Sequence, residues 1–216
     1  MSDRVAGVRF DASELIQQAR EQTGFSDFGW MPYREGLEAL LATYDRNVKD
    51  PAGRQRCRDR VLTLLATRLR CEHAFATIAE IAEQEIIAPV FITGLPRSGT
   101  SALLNLMEKA PGFRGVLQWE VQFPDPWRGS QPGEEDPRYQ PLKQALDAAA
   151  DSEFSKIHFV DADTPEECVL LHAFALHGVQ LGFEVMLEPY RSWFLGQDLE
   201  PLYRYQKQQL QMLNWR

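Results

Sequence analysis

The chain has 216 residues, 44% of them hydrophobic and 25% charged, which is the balance of a soluble globular protein with one ordinary domain. Its formal net charge of -8 excludes a broad electrostatic footprint for nucleic acid. No stretch approaches the roughly 18 consecutive apolar residues that span a bilayer, and the opening residues Met1 to Val5 lead into no apolar run of the secretory kind.

In chain order, the first 86 residues read as a helical N-terminal region. Asp11 or Ser13 caps a short helix running to about Gln22. A second helix is expected over Arg34 to Arg46, with Leu37, Leu40, Leu41 and Tyr44 on one face. A longer one is expected over about Arg54 to Glu85, where Val61, Leu64, Leu65, Phe75, Ile78, Ile81 and Ala82 recur at helical spacing. These faces read as core. The three cysteines, Cys57, Cys71 and Cys168, are odd in number and contain no Cys-x-x-Cys, which argues against a disulfide framework or a zinc site and suits a reducing, cytoplasmic setting.

The pattern changes after residue 86. Val90-Phe91-Ile92-Thr93 is a short apolar run bounded by Pro89 and Gly94, as expected of a strand buried on both faces. Ser101 to Ala110 reads as a helix stopped by Pro111-Gly112. Val116 to Trp119 is a candidate second strand, followed by a Pro/Gly-rich loop over about Pro124 to Pro137. Ile157 to Val160 is a third strand candidate. Thr164-Pro165-Glu166-Glu167 then reads as a helix start, with Thr164 as N-cap, Pro165 at the first position and Glu167 closing a capping box. A last helix is expected over about Leu199 to Trp215. A strand apolar on both faces needs neighbours, and only two weak candidates are available. The expected class is α/β, a P-loop-type parallel sheet flanked by helices, with the sheet incomplete in this chain. The expected division is a helical region over 1–86 and the α/β part over 87–216.

The chemistry concentrates in Gly94-Leu95-Pro96-Arg97-Ser98-Gly99-Thr100-Ser101. A strand, a glycine-containing turn and a helix start present unpaired backbone N–H groups and the positive end of the helix dipole to an anion. Gly94 and Gly99 let the backbone approach closely, Ser98, Thr100 and Ser101 add hydroxyl donors, and Arg97 adds a forked permanent cation. The Gly-x4-Gly spacing matches the start of a nucleotide P-loop, but Thr100 stands where that motif has lysine, and no apolar run ends in the Asp of a Walker-B strand.

The segment Pro89 to Ser101 resembles the 5′-phosphosulfate loop of the sulfotransferase superfamily, and especially the large bacterial sulfotransferase-like family. The similarity extends through Leu117-Gln118-Trp119-Glu120, Asp163 to Cys168 and Leu210 to Trp215, so that it covers roughly residues 89 to 216. The resemblance implies an enzyme that transfers the sulfuryl group of 3′-phosphoadenosine 5′-phosphosulfate (PAPS) to an alcohol or phenol, with no metal. Pro96, Arg97, Ser98, Gly99, Thr100 and Ser101 would then bind the phosphosulfate. The family's second motif, an Arg and a later Ser gripping the 3′-phosphate, has no counterpart here, so the sequence resembles the N-terminal part of a sulfotransferase. Two other readings stand beside this one: a non-catalytic nucleotide-binding or interaction fragment, and a P-loop kinase or NTPase.

Sulfuryl transfer needs a base for the acceptor hydroxyl and cations or amides for the charge on the moving group. Glu120 is the first candidate base and Arg97 the electrophilic partner. A solvated or salt-bridged surface carboxylate accounts for Glu120 equally well. His158 is the alternative base. His172 and His177, five residues apart in an apolar segment, read as packing residues, and Glu166 and Glu167 as capping residues. Trp119, Phe123 and Trp127 suggest an apolar small-molecule acceptor, though aromatic residues there read equally as core. The unfinished sheet points to a homo-oligomer or to a second chain completing it.

Overall fold

A computed structural model of the chain describes residues 8–95, 98–150, 161–181 and 188–216. Contacts between Cα atoms divide it into two compact units, one of residues 1–77 with 171–206 and the other of 78–170 with 207–216.

The first unit is helical. Helix α1 (Ala12–Thr23) starts where Asp11 accepts a hydrogen bond from the Glu14 N–H at 3.0 Å, and ends at Gly24 in the left-handed conformation, φ 74°. Helix α2 covers Arg34–Asn47 and α3 covers Pro51–Thr77. α3 begins earlier than the apolar spacing indicates, because Asp50 accepts the Gly53 N–H at 2.6 Å and Pro51 occupies the first helical position. It also ends earlier. The β-branched Ile78 is extended (φ -115°, ψ 91°) and separates α3 from the short α4 (Ala79–Ala82), which belongs to the second unit.

α1 packs on α3 through buried Leu15, Ile16 and Ala19. Leu37, Leu40 and Leu41 of α2 and Val61, Leu64, Leu65 and Leu69 of α3 are also buried, each stabilising the fold by about 1.5–3 kcal/mol relative to exposure. A further cluster joins Met31, Ala175, Leu202 and Tyr205, with Phe75, Phe194 and Leu199 against it. Fully buried Arg68 is satisfied by backbone, donating to the carbonyls of Phe28, Met31 and Phe174 at 2.8, 2.5 and 3.3 Å.

The second unit contains α5 (Thr100–Glu108), β1 (Val116–Leu117), α6 (Gln118–Gln122), α7 (Tyr139–Ala148) and β2 (Pro165–Glu166). Its strands pair antiparallel, Val116 opposite Glu166 and Leu117 opposite Pro165. The chain is therefore α/β and mostly helical, with a two-stranded antiparallel sheet among the described residues. Several expectations are corrected. Residues 90–93 form no strand: Val90 and Phe91 are 58% and 70% exposed, as in a segment that pairs with no strand among the described residues. Trp119 is helical rather than part of the second strand. Thr164 does not open a helix; its hydroxyl turns back to the Asp161 carbonyl at 2.8 Å, Pro165 and Glu166 pair with β1, and a 3-10 helix follows over Cys168–Ala175. The strand candidate at 157–160 lies outside the described residues.

After the 3-10 helix come α8 (Tyr190–Leu195) and α9 (Glu200–Trp215). The start of α9 belongs to the first unit and residues from 207 onward to the second. There Gln211 donates to the carbonyls of Ala82 and Gln84 at 3.2 and 2.8 Å. Among the described residues, no helix is long and apolar enough to cross a membrane.

Candidate functional site

The second unit carries the segment singled out by its glycines. Gly94 sits where an added Cβ would lie 2.7 Å from the Ser98 hydroxyl oxygen and 3.0 Å from the Thr100 methyl, so the turn closes on itself at that residue. Gly99 is left-handed at φ 94°, a backbone state that costs an L side chain roughly 1–2 kcal/mol. α5 follows at once. Its N-cap is Gly99, which has no side chain to cap it, and its first turn holds no acidic residue. The positive end of this helix thus carries no carboxylate in its own first turn. Ser98, Gly99 and Ser101 are exposed and Thr100 half-buried. Of the six residues expected to contact the phosphosulfate, these four surround the helix start; Pro96 and Arg97 lie outside the described residues. The four present suit a phosphate-type group by donor chemistry: backbone N–H groups at a helix start, three hydroxyls and a glycine backbone.

β1 and α6 place Glu120 as the third residue of α6, where it is 5% exposed. Its Oε2 accepts the Leu117 N–H at 2.8 Å, a carboxylate reaching back to satisfy the start of its own helix. Its Oε1 accepts from Nη2 of Arg114 at 2.5 Å, and the same Nη2 donates to the Leu213 carbonyl at 3.2 Å. Glu120 is therefore a buried, paired carboxylate rather than a solvated surface one. His158, the alternative base, lies outside the described residues. His172 and His177 are buried in the first unit, His172 bonded to Gln206 at 2.9 Å and His177 to the Ala175 carbonyl at 3.1 Å. Burial lowers the pKa of both below the ordinary imidazole value. The carboxylate of Glu166 accepts the Glu167 N–H at 3.0 Å.

The aromatic residues near Glu120 are held by a charge network absent from the sequence reading. Arg138 donates to Asp125 at 2.9 Å and to Asp136 at 2.7 Å, with its guanidinium over the rings of Phe123 and Trp127 at 4.7 and 5.3 Å. This ties the two ends of the loop between α6 and α7 together. Arg216 bonds Asp136 and the Phe123 carbonyl and lies 4.2 Å over the Trp119 ring. Burial alone would push Asp136 upward, but the hydrogen bonds and charge of Arg138, with Arg216, hold its carboxyl below the usual range. Trp119 meets Tyr139 edge-on at 5.7 Å, and Tyr139 donates to Asp163 at 2.6 Å. Nothing in the linear spacing of Arg114, Arg138 or Arg216 marks them; they are far apart in sequence and converge only through turns. Trp127 is about half exposed. Among the described residues, no group of three or more His, Cys, Asp or Glu is placed to hold a metal ion.

Comparison with known proteins bears on the same residues. The sequence profile described as the sulfotransferase family matches residues 89–208. The structure is similar to that of sulfotransferase STF1 from Mycobacterium tuberculosis H37Rv, with a TM-score of 0.79 and 28% identity over 93% of this chain and 56% of that one. It is also similar to sulfotransferase STF9 from Mycobacterium avium, with a TM-score of 0.81 and 26% identity over 99% of this chain and 55% of that one. The chain thus spans a little over half the length of these solved structures. No curated protein matches it by sequence.

Proposed function

Because the chain belongs to the sulfotransferase family, we propose that it serves transfer of the sulfuryl group of PAPS to the hydroxyl of a small alcohol or phenol. The observation that carries this reading is the start of α5: a left-handed Gly99, no side-chain cap, no acid in the first turn, and the hydroxyls of Ser98, Thr100 and Ser101 around it. PAPS, when bound, supplies a sulfuryl group already activated on its 5′-phosphate. In this reading the backbone of residues 98–101 and the three hydroxyls bind and orient the phosphosulfate, and Arg97 matches two of its oxygens with its fork. Glu120 accepts the proton of the acceptor hydroxyl, with His158 as the alternative. Trp119, Phe123 and Trp127 form the apolar side on which the acceptor rests. A P-loop-type parallel sheet, a metal-free reaction and a cytoplasmic location in a bacterium belong to the same proposal.

Calorimetric titration with adenosine 3′,5′-bisphosphate and, in parallel, with Mg-ATP tests it. Micromolar affinity for the bisphosphate with much weaker ATP binding is the expected result, and Arg97→Ala should weaken the bisphosphate by about tenfold to a hundredfold, the loss of one charged hydrogen bond. A clear preference for Mg-ATP would replace this reading with that of a P-loop kinase or NTPase. One observation favours a second reading, a non-catalytic nucleotide-binding or interaction chain: residues 90–95 leading into the loop are largely exposed and α5 buries no residue. Tight bisphosphate binding without sulfuryl transfer would select it.

A further inference from the structure

The ion pair between Arg114 and Glu120 is asymmetric in a way that the proposed reaction would use. The Glu120 side chain is 6% exposed and the Arg114 side chain 46%. The carboxylate is thus the buried member, and the guanidinium reaches it from the solvent side, out of the turn that joins α5 to β1. A carboxylate so enclosed remains ionised only with a cation or strong donors against it. Leu117 N–H supplies one donor, on Oε2, and Arg114 the other, on Oε1.

The other charged groups on the packed elements are committed elsewhere. Arg216, electrostatically felt by Glu120, bonds Asp136 and the Phe123 carbonyl. Arg138 is taken up by Asp125 and Asp136. Lys143 of α7 lies at 3.4 and 3.6 Å from Asp161 and Asp163. On β2, Glu166 stands opposite Val116 and adds negative charge. Among the described residues, Glu120 is the carboxylate that Arg114 pairs with.

We propose that Arg114 is a positioning residue of the transfer site, holding the Glu120 carboxylate in one orientation so that its remaining lone pairs take the acceptor's proton. This rests on the reading of Glu120 as the base. On transfer, the acceptor oxygen bonds to sulfur, its proton passes to Glu120, and the electron pair of the broken sulfur–oxygen bond leaves with adenosine 3′,5′-bisphosphate. Arg114 touches none of the reacting atoms and acts through Glu120 alone.

The test compares the full chain with Arg114→Gln, Arg114→Lys and Glu120→Gln by two readouts. Carbon-13 NMR of the glutamate side chains reports the surroundings of the Glu120 carboxylate whether or not the chain turns over. Sulfuryl transfer from PAPS to a phenol is then followed against pH. In Arg114→Gln, the Glu120 carboxylate signal is expected to move from its position in the parent chain, the effect of removing its charged partner. kcat should fall with it across the pH range, KM for PAPS should change less than about twofold, and Arg114→Lys should restore the signal and kcat in part. Should Arg114→Gln not fold, Arg114→Lys still tests the idea, since a longer, single-point contact should move the carboxylate signal and lower kcat part of the way. An unmoved Glu120 signal and an unchanged kcat in both Arg114 variants would overturn the role of Arg114. Transfer that survives in Glu120→Gln would instead overturn Glu120 as the base, and the catalytic meaning of Arg114 with it.

Discussion

α3 carries Glu72 into the first unit, where the carboxylate is 7% exposed. It presses so closely on Gly29 that a Cβ there would lie 2.0 Å from Oε2. Burial raises its pKa above the ordinary 4.5, and the nearby Arg68 only partly offsets this. The sign follows from linkage. A carboxyl whose folded pKa is raised contributes its stability below pH 4.5, and that stability is lost as pH rises through the folded value. Glu72→Gln keeps the shape and removes the charge, so the variant should lose less stability than the parent between pH 5 and pH 8. Thermal midpoints at the two pH values check this. A parent chain that gains on the variant as pH rises would show that Arg68 outweighs desolvation at this site.

At the scale of elements, α3 and α5 are opposites. α3 is 27 residues long and buries Leu64, Leu65 and Leu69. α5 has nine residues and buries none, with Leu106 69% exposed. Leu65→Ala should therefore cost about 2–5 kcal/mol and Leu106→Ala less than about 0.5 kcal/mol, as read by denaturant unfolding. Similar losses for both would mean that α5 is packed in solution. The same contrast explains what the sequence could reveal. α1, α2, α5 and α9 are legible because their apolar residues recur at 3.6 and their ends carry Asp11, Gly24 or Pro111-Gly112. The start of α3 was equally signalled, by Asp50-Pro51, but the apolar spacing begins later and draws the eye to Arg54. α7 is hard to recognise although Leu142, Ala145, Leu146 and Ala149 are helically spaced, since Pro141 has the look of a breaker and is in fact tolerated in a first turn. Residues 90–93 and 164–167 fail for another reason. Strand or helix is decided there by partners distant in the chain, and local chemistry carries no record of them. The loop at 94–101 is legible because glycines and hydroxyls act through their own backbone. The fixing of Glu120 by Arg114 is not, because it depends on how the turn after α5 brings two side chains together.

At the scale of the whole molecule, the two units respond to acid by different groups. The first holds His172 and His177, whose pKa values burial depresses. Their contribution is complete above the ordinary 6.5 and is lost as pH falls through and below it. The second relies on Asp136 and Asp161, held below the ordinary 3.8: Asp136 by Arg138 and Arg216 against the upward push of burial, and Asp161 first by the Asp163 N–H and then by Lys143. That stability is lost only as pH falls below about 4. Hydrogen exchange followed from pH 7 down to pH 3 should therefore show amides of α2 and α3 losing protection before those of β1 and α6. Simultaneous loss would mean that the units unfold as one.

Arg68 carries a consequence for how the chain acquires its structure over time. Two of its carbonyl partners, at Phe28 and Met31, precede it, and the third, at Phe174, is 106 residues downstream. During synthesis the first helices leave the ribosome long before Phe174 exists. Withdrawing a guanidinium from water is costly until its acceptors are in place. The nascent helices then wait with a wetter, more loosely assembled interior, and this single cation makes the arrival of Phe174 a condition for them to settle fully.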